Sequence, residues 1–284
     1  MRDLYSEVTT KIINDLASGV VPWVRPWNAA GAGMAYNAIS KKSYRGINTL
    51  LLFAPQYESS AWMTYAQAQG VGAQVRKGER GSMIVFYKPF VIRDKNSEDS
   101  ETRTIPLLRS FTVFNTQQID NLPEQFAPVK IKPMPDAEKN EKTEKLLAQA
   151  TILHGGNCAC YSPSHDVITL PQSGSFLSIS DYYATALHEM GHWTGHSSRL
   201  AREYGKRFGD QAYAREELVA ELCASFLCAI CEIPGKLQHS EYIANWIDIM
   251  KSDKRAVLMA ASHAQKASDF ILGIKPATEE AKAA

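Results

Sequence analysis

The spacing of apolar and polar positions divides the chain into two halves of different character. Leu4, Val8, Ile12, Ile13 and Leu16 recur at helical spacing and predict an amphipathic opening helix that stops at Gly19. Leu50 to Phe53 reads as a short buried helix, and Thr64 is placed to cap another that ends near Gly70-Val71-Gly72. From Ser82 to Ile92 the chain is rich in β-branched and aromatic residues. A polar excursion over 93–104 and a return run through Phe111-Thr112-Val113-Phe114 then complete a long hairpin. Prolines 123, 128, 133 and 135 interrupt all periodicity, which marks 122–136 as a linker. Beyond it the pattern turns helical over 137–150, from Ile179 to Met190, from Ala212 to Leu222, and over 242–250 and 256–270, with one short strand between Tyr161 and Pro171. The expected fold class is α+β in two domains: an α+β N-terminal domain over 1–121 and a mainly helical domain with a short sheet over 137–284.

The second half carries the more specific chemistry. In His188-Glu189-Met190-Gly191-His192 the two histidines stand four apart on a predicted helix, so both imidazoles reach one Zn²⁺ from the same face. Glu189 between them is placed to take a proton from a water molecule there, as in zincin peptidases. Such a pentapeptide occurs by chance in on the order of one chain in a hundred of this length, so its flanks matter. Upstream, Ser180 or Asp181 is placed to cap the helix, and Ile179, Tyr183, Ala186, Leu187 and Met190 line its opposite side. Downstream, Glu217 and Glu221 share one face of the next helix. Glu217 is the expected third metal ligand and Glu221 the acceptor for a ligand histidine's other N–H, with the reverse assignment open. Gly195 is expected to end the motif helix and leave His196 at its rim, outside the ligand set. Tyr213 would steady an oxyanion if its ring turns toward the metal.

The net charge of +1 over 284 residues conceals an uneven distribution. Between residues 23 and 93 stand nine Lys or Arg against two acids, a local charge of +7, interleaved with aromatic rings. Cations that track a phosphate backbone and flat rings on which bases stack are what a single-stranded nucleic-acid site requires. The residues expected to form it are Trp23, Arg25, Trp27, Tyr44, Arg45, Lys77, Arg80 and Lys88, with the Trp23-Val24-Arg25-Pro26-Trp27 segment an extended loop presenting two indoles around an arginine. Phe53, Phe86 and Phe90 are expected in the core.

No apolar run approaches the length of a membrane span, and the first residues carry no signal-peptide core, so the expected location is the cytoplasm. The five cysteines match no four-ligand zinc spacing. Cys223, Cys228 and Cys231 fall at helical positions among apolar residues, as buried thiols do.

With both halves read, the chain resembles the ArdC-type plasmid antirestriction proteins over nearly its whole length. The resemblance rests on Trp23-Val-Arg-Pro-Trp27, Tyr44-Arg-Gly-Ile-Asn48, the run from Gly72 to Gly81, Val113-Phe-Asn115, Tyr161-Ser-Pro163, the histidine motif through His196, Arg199-Leu200 and the run from Tyr213 to Glu221. The first half also resembles the module at the front of TraC-type plasmid primases. This resemblance implies a single-stranded-DNA-binding domain joined to a metallopeptidase domain related to the SprT group, acting in conjugation to shield an incoming plasmid from restriction. The implied partners are single-stranded DNA and an unidentified protein substrate. Two rival readings use the same residues: a DNA-coating protein whose metallopeptidase-like domain is silent, and a basic half that recruits protein instead of DNA.

Overall fold

The structure, a computed structural model, describes residues 3–23, 33–55, 57, 59–93, 102–126, 140–202, 211–234 and 242–275; side chains of 88–93, 102–107 and 211 lie outside that description. The chain opens with α1 (Leu4–Ala17), capped by Asp3, whose side chain accepts from the Ser6 N–H. Then come β1 (Tyr36–Asn37), α2 (Ile47–Phe53), β2 (Ala61–Met63), α3 (Tyr65–Gly70), β3 (Gln74–Val75), β4 (Ser82–Arg93), β5 (Thr102–Asn115) and β6 (Ile119–Asp120). As expected from the sequence, Thr64 caps α3, in a reciprocal pair with Gln67. The second half holds α4 (Glu141–Leu147), β7 (Ile152–His154), β8 (Cys160–Ser162), β9 (Val167–Leu170), α5 (Ile179–Trp193), α6 (Gln211–Ile230), α7 (Ile243–Ser252) and α8 (Ala256–Ile271).

Strands β1, β2, β5 and β4 form one sheet in that order, with β4 at its edge. Asn48 covers that edge: its side-chain amide donates to the Val85 carbonyl and accepts from the Val85 N–H, both at 2.8 Å. A side chain thus takes the place of a neighbouring strand and satisfies backbone groups that an open edge exposes. In the second half β9 lies between β7, parallel to it, and β8, antiparallel, so β8 is an edge among the described strands.

The fold is α+β in two domains, as expected, and the two share a hydrophobic core. Val8, Ile12 and Leu16 of α1, Leu50 and Leu51 of α2, Trp23 and Val85 belong to the same buried cluster as Leu187 and Met190 of α5, Leu222 and Phe226 of α6 and Val257 and Ala261 of α8. The opening helix therefore packs into the C-terminal helices, and residues before 121 do not form a body with a wholly separate core. Amphipathic spacing shows that a helix has a face to bury but not which surface covers it. Most of the linker, 127–136, falls outside the described residues. Phe53 is buried as expected, whereas Phe86 is 47% exposed; the Phe90 side chain is not among those described. Cys223, Cys228 and Cys231 are buried free thiols, and Cys158 and Cys160 are exposed ones. No helix among the described residues is long and apolar enough to cross a membrane.

The β8–β9 turn is tied to the end of α5 by Arg199. Its guanidinium stacks on the Trp193 ring at 4.1 Å, donates to the Trp193 carbonyl at 2.6 Å and to the Tyr161 hydroxyl at 3.2 Å, and pairs with Asp166. The Arg199 guanidinium holds the Asp166 carboxyl down, from 3.8 to about 2. A carboxylate lowered by folding stabilises the protein above its unfolded value, and that contribution is lost as pH falls through the folded one. The stability difference between the wild type and Asp166→Asn is therefore expected to be full near neutrality and to shrink between about pH 4 and pH 2. Thermal melts across that range test this; a constant difference would place the role of Asp166 elsewhere.

Candidate functional site

Helix α5 begins at Ser178, whose hydroxyl accepts from the Asp181 N–H at 3.1 Å and donates to the Asp181 carboxylate at 2.9 Å. The cap is thus Ser178, and not Ser180 or Asp181; Asp181 is the third helical residue answering it. From this start Tyr183, Ala186, Leu187 and Met190 turn into the core. His188 and His192 face α6 from the last two turns. The helix ends at Trp193. His196 lies beyond it, its Nδ1 accepting from the Ser198 N–H at 3.2 Å, outside the cluster below.

Two helices meet closely at this point because Gly191 carries no side chain. A Cβ there would lie 2.9 Å from the Ala220 Cα. That approach brings the carboxylates of α6 up to the histidines of α5. His188 Nε2 and His192 Nε2 are 3.1 Å apart, and each stands 3.4 Å from an oxygen of Glu217. Four ligands at bond lengths of about 2.0–2.1 Å around a tetrahedral ion lie roughly 3.3–3.4 Å from one another, so these three atoms match three corners of a zinc site. His188, His192 and Glu217 are the group among the described residues whose donor atoms could hold a metal ion.

The other nitrogen of each ring meets a carboxylate. His188 Nδ1 is 3.4 Å from Glu221 and His192 Nδ1 is 3.3 Å from Glu216. Such contacts keep the proton on Nδ1 and leave the Nε2 lone pair for a metal. Glu216 is anchored in turn by Arg202, at 2.9 and 2.7 Å, and Arg202 also donates to the Thr194 hydroxyl and the Gly191 carbonyl, at 2.8 and 2.7 Å. The sequence reading missed Glu216 and Arg202. Glu216 adjoins Glu217 on α6, so it looks toward a different side, and only the approach of α5 shows that His192 is there. The Tyr213 hydroxyl donates to Glu217 and makes a further hydrogen bond to Tyr242. The ring thus stands at the metal cluster and lines the cleft over it.

The electrostatics favour a cation. Burial alone would lower both imidazoles, but Glu217 and Glu221 outweigh it at His188, raising it to about 10, and Glu216 and Glu217 do so at His192, raising it to about 9. Burial would raise Glu217, yet the two histidines hold it well below the ordinary carboxylate range. A site that stabilises positive charge against its own desolvation suits a divalent ion with two nitrogen donors and one oxygen donor. The cleft over these residues encloses about 340 Å³ and is lined also by Glu189, Tyr213, Tyr242 and, in and beside β8, Ala159, Cys160, Tyr161 and Pro163.

The residues expected to contact nucleic acid are scattered. Trp23 is 1% exposed and packs edge-on against Trp246 at 5.5 Å, while its carbonyl accepts from Ser225, so its indole is core and offers no face to a base. Tyr44 is also buried, its hydroxyl accepting from the Asn37 amide at 3.3 Å. Arg45 is exposed and paired with Asp269 of α8. Lys77 and Arg80 are exposed in the turn before β4. Arg25, Trp27 and the Lys88 side chain lie outside the described residues.

Comparison with known proteins gives two family matches: the N-terminal domain of anti-restriction factor ArdC over residues 2–114, and a zincin-like metallopeptidase over 141–263. The y4eC protein of Sinorhizobium fredii is 37% identical, over 95% of this chain and 91% of that one. Two proteins named DNA primase TraC, from Escherichia coli, are each 38% identical over 96% of this chain, which spans only 20% and 27% of their lengths. Among solved structures, the metal-free antirestriction protein ArdC of plasmid R388 is similar at a TM-score of 0.82 and 37% identity, over 96% of this chain and 98% of that one. Its Mn(II)-bound structure is similar at a TM-score of 0.78 and 36% identity.

Proposed function

The chain belongs to the ArdC family of antirestriction proteins, and from that premise we propose that it protects incoming plasmid DNA in the cytoplasm by binding it as a single strand and that its second half is a zinc metallopeptidase. The triangle of His188, His192 and Glu217, backed by Glu216 and Glu221, is the observation that carries the second part. Zinc held by these three residues would supply a Lewis acid that polarises a peptide carbonyl. Manganese is the competing metal, given the Mn(II)-bound relative.

Glu189 lines the cleft while belonging to none of the ligand contacts, so it is free to act as general base. It would take a proton from the attacking water and return it to the nitrogen of the leaving amine. The β8 edge along the cleft would orient an extended peptide by adding it as a strand. Arg202 and Glu216 would hold the His192 ring still through this sequence.

Glu189→Ala is expected to keep the metal and to lose peptide hydrolysis by roughly 10²–10⁴-fold, the usual contribution of a general acid–base group. Metal content by elemental analysis and cleavage of an unstructured protein substrate give the two readouts, and undiminished cleavage would remove Glu189 from the role. A restriction-protection assay on the same variant separates the halves of the proposal. Protection that survives while cleavage is lost means that DNA binding alone shields the plasmid.

A further inference from the structure

Between the β4–β5 hairpin and α8 runs a groove of about 860 Å³ that the metal centre does not use. Its walls come from both halves of the chain: Phe86, Arg109 and Phe111 from the hairpin, Lys42 from the loop before α2, and Lys266 from α8. Phe86 and Phe111 are 47% and 48% exposed and meet edge to face at 5.8 Å. Arg109 sits opposite Phe86 in the register of the hairpin, and so on the same face of the sheet. No acidic side chain lines the groove among the described residues, and Lys42, Arg109 and Lys266 make no ion pair with a described residue. The nearby Asp269 is taken up by Arg45.

Two large rings half in water, bordered by cations that pair with no described residue, suit a ligand with flat apolar faces and regularly spaced negative charge. We propose that this composite groove is where single-stranded DNA lies, with unpaired bases against Phe86 and Phe111 and phosphates on Lys42, Arg109 and Lys266. The assignment rests on the DNA-binding half of the function proposed above; it moves the contact surface away from Trp23, which is buried elsewhere, and keeps Tyr44 and Arg45 in the groove lining. An unpaired strand offers base faces to the rings. A duplex keeps those faces in its own stack and so gains only the phosphate contacts. Because Lys266 belongs to α8, the strand touches the helical half of the molecule as well as the basic N-terminal half.

The test is the affinity of the full-length protein for a fluorescent single-stranded oligonucleotide across a salt series. Phe86→Ala combined with Phe111→Ala is expected to weaken binding roughly 10- to 100-fold, the loss of one or two stacked bases. Lys266→Ala is expected to flatten the log–log salt dependence by about 0.7, the share of one phosphate contact on a single strand. Photocrosslinking of a bromouracil oligonucleotide to the wild type should label peptides from the hairpin and from α8, a readout independent of whether the variants fold. Steep salt-dependent binding by the wild type with unchanged affinity in the variants and no crosslink to either element would overturn the groove and leave DNA binding standing. Absence of any binding by the wild type would remove the parent reading as well. Groove-dependent capture of polyglutamate without capture of the oligonucleotide would assign these cations to an acidic protein partner and overturn the proposal.

Discussion

Glu217→Ala is expected to strip the protein of its metal. The affinity should fall by more than the roughly 10–100-fold that loss of an outer hydrogen-bond partner costs, whereas Glu216→Ala and Glu221→Ala should stay within that band. The distinction comes from which nitrogen each carboxylate faces. Glu217 stands 3.4 Å from the Nε2 atoms of both histidines, the atoms that converge at 3.1 Å. Glu221 and Glu216 reach only the Nδ1 atoms, one each. Removing Glu217 takes away a donor, while removing either of the others loosens a ring that still presents its lone pair. Titration calorimetry with Zn²⁺ and Mn²⁺ on the three variants reads the ranking directly. If Glu221→Ala empties the site and Glu217→Ala does not, the two glutamates exchange roles.

Gly191→Ala is expected to destabilise the fold by roughly 1–3 kcal/mol, the usual range for overpacking a tight contact. Helix propensity predicts the opposite sign, since alanine is favoured over glycine by about 1 kcal/mol in a helix interior. Packing decides it. The added methyl would meet the Ala220 Cα at 2.9 Å and its Cβ and carbonyl oxygen at 3.2 Å, and a backbone atom cannot swing aside as the end of a long side chain can. The two helices would have to separate, and they carry opposite members of the metal cluster, so metal affinity should fall with stability. Denaturant midpoints and metal titration check both. A raised midpoint would show that α5 and α6 are not held at the distance this contact implies.

The features legible in the sequence are those set by neighbours along the chain. Histidines four apart share a helix face in any helix, and the same geometry places Glu217 and Glu221 together on α6. The capping of α3 by Thr64, the long β4–β5 hairpin and the buried character of α2 likewise follow from local periodicity and turn chemistry. The cap of α5 was misplaced by two or three residues because several hydroxyl and carboxylate side chains compete over 178–181, and backbone geometry selects among them.

The remainder depended on which surfaces meet. An indole followed by arginine, proline and a second indole reads as a nucleic-acid loop, yet Trp23 is claimed by Ser225 and Trp246, each more than two hundred residues away in sequence. Phe86 reads as core by composition and emerges half exposed on the groove, whereas Ile84 and Val85 just before it are buried. Glu216 acquires a purpose only when Gly191 lets α5 approach α6, and the groove exists only because α8 returns against the first half of the chain. The sequence by itself determined the candidate donors, two histidines and the pair Glu217 and Glu221, and the elements that carry them, because those are properties of short segments with a fixed period. Tertiary structure alone decided which rings are buried, which carboxylates stand behind the histidines and where the two halves share a core, because an apolar face or an unpaired charge specifies that it needs a partner and leaves the partner to be found in space.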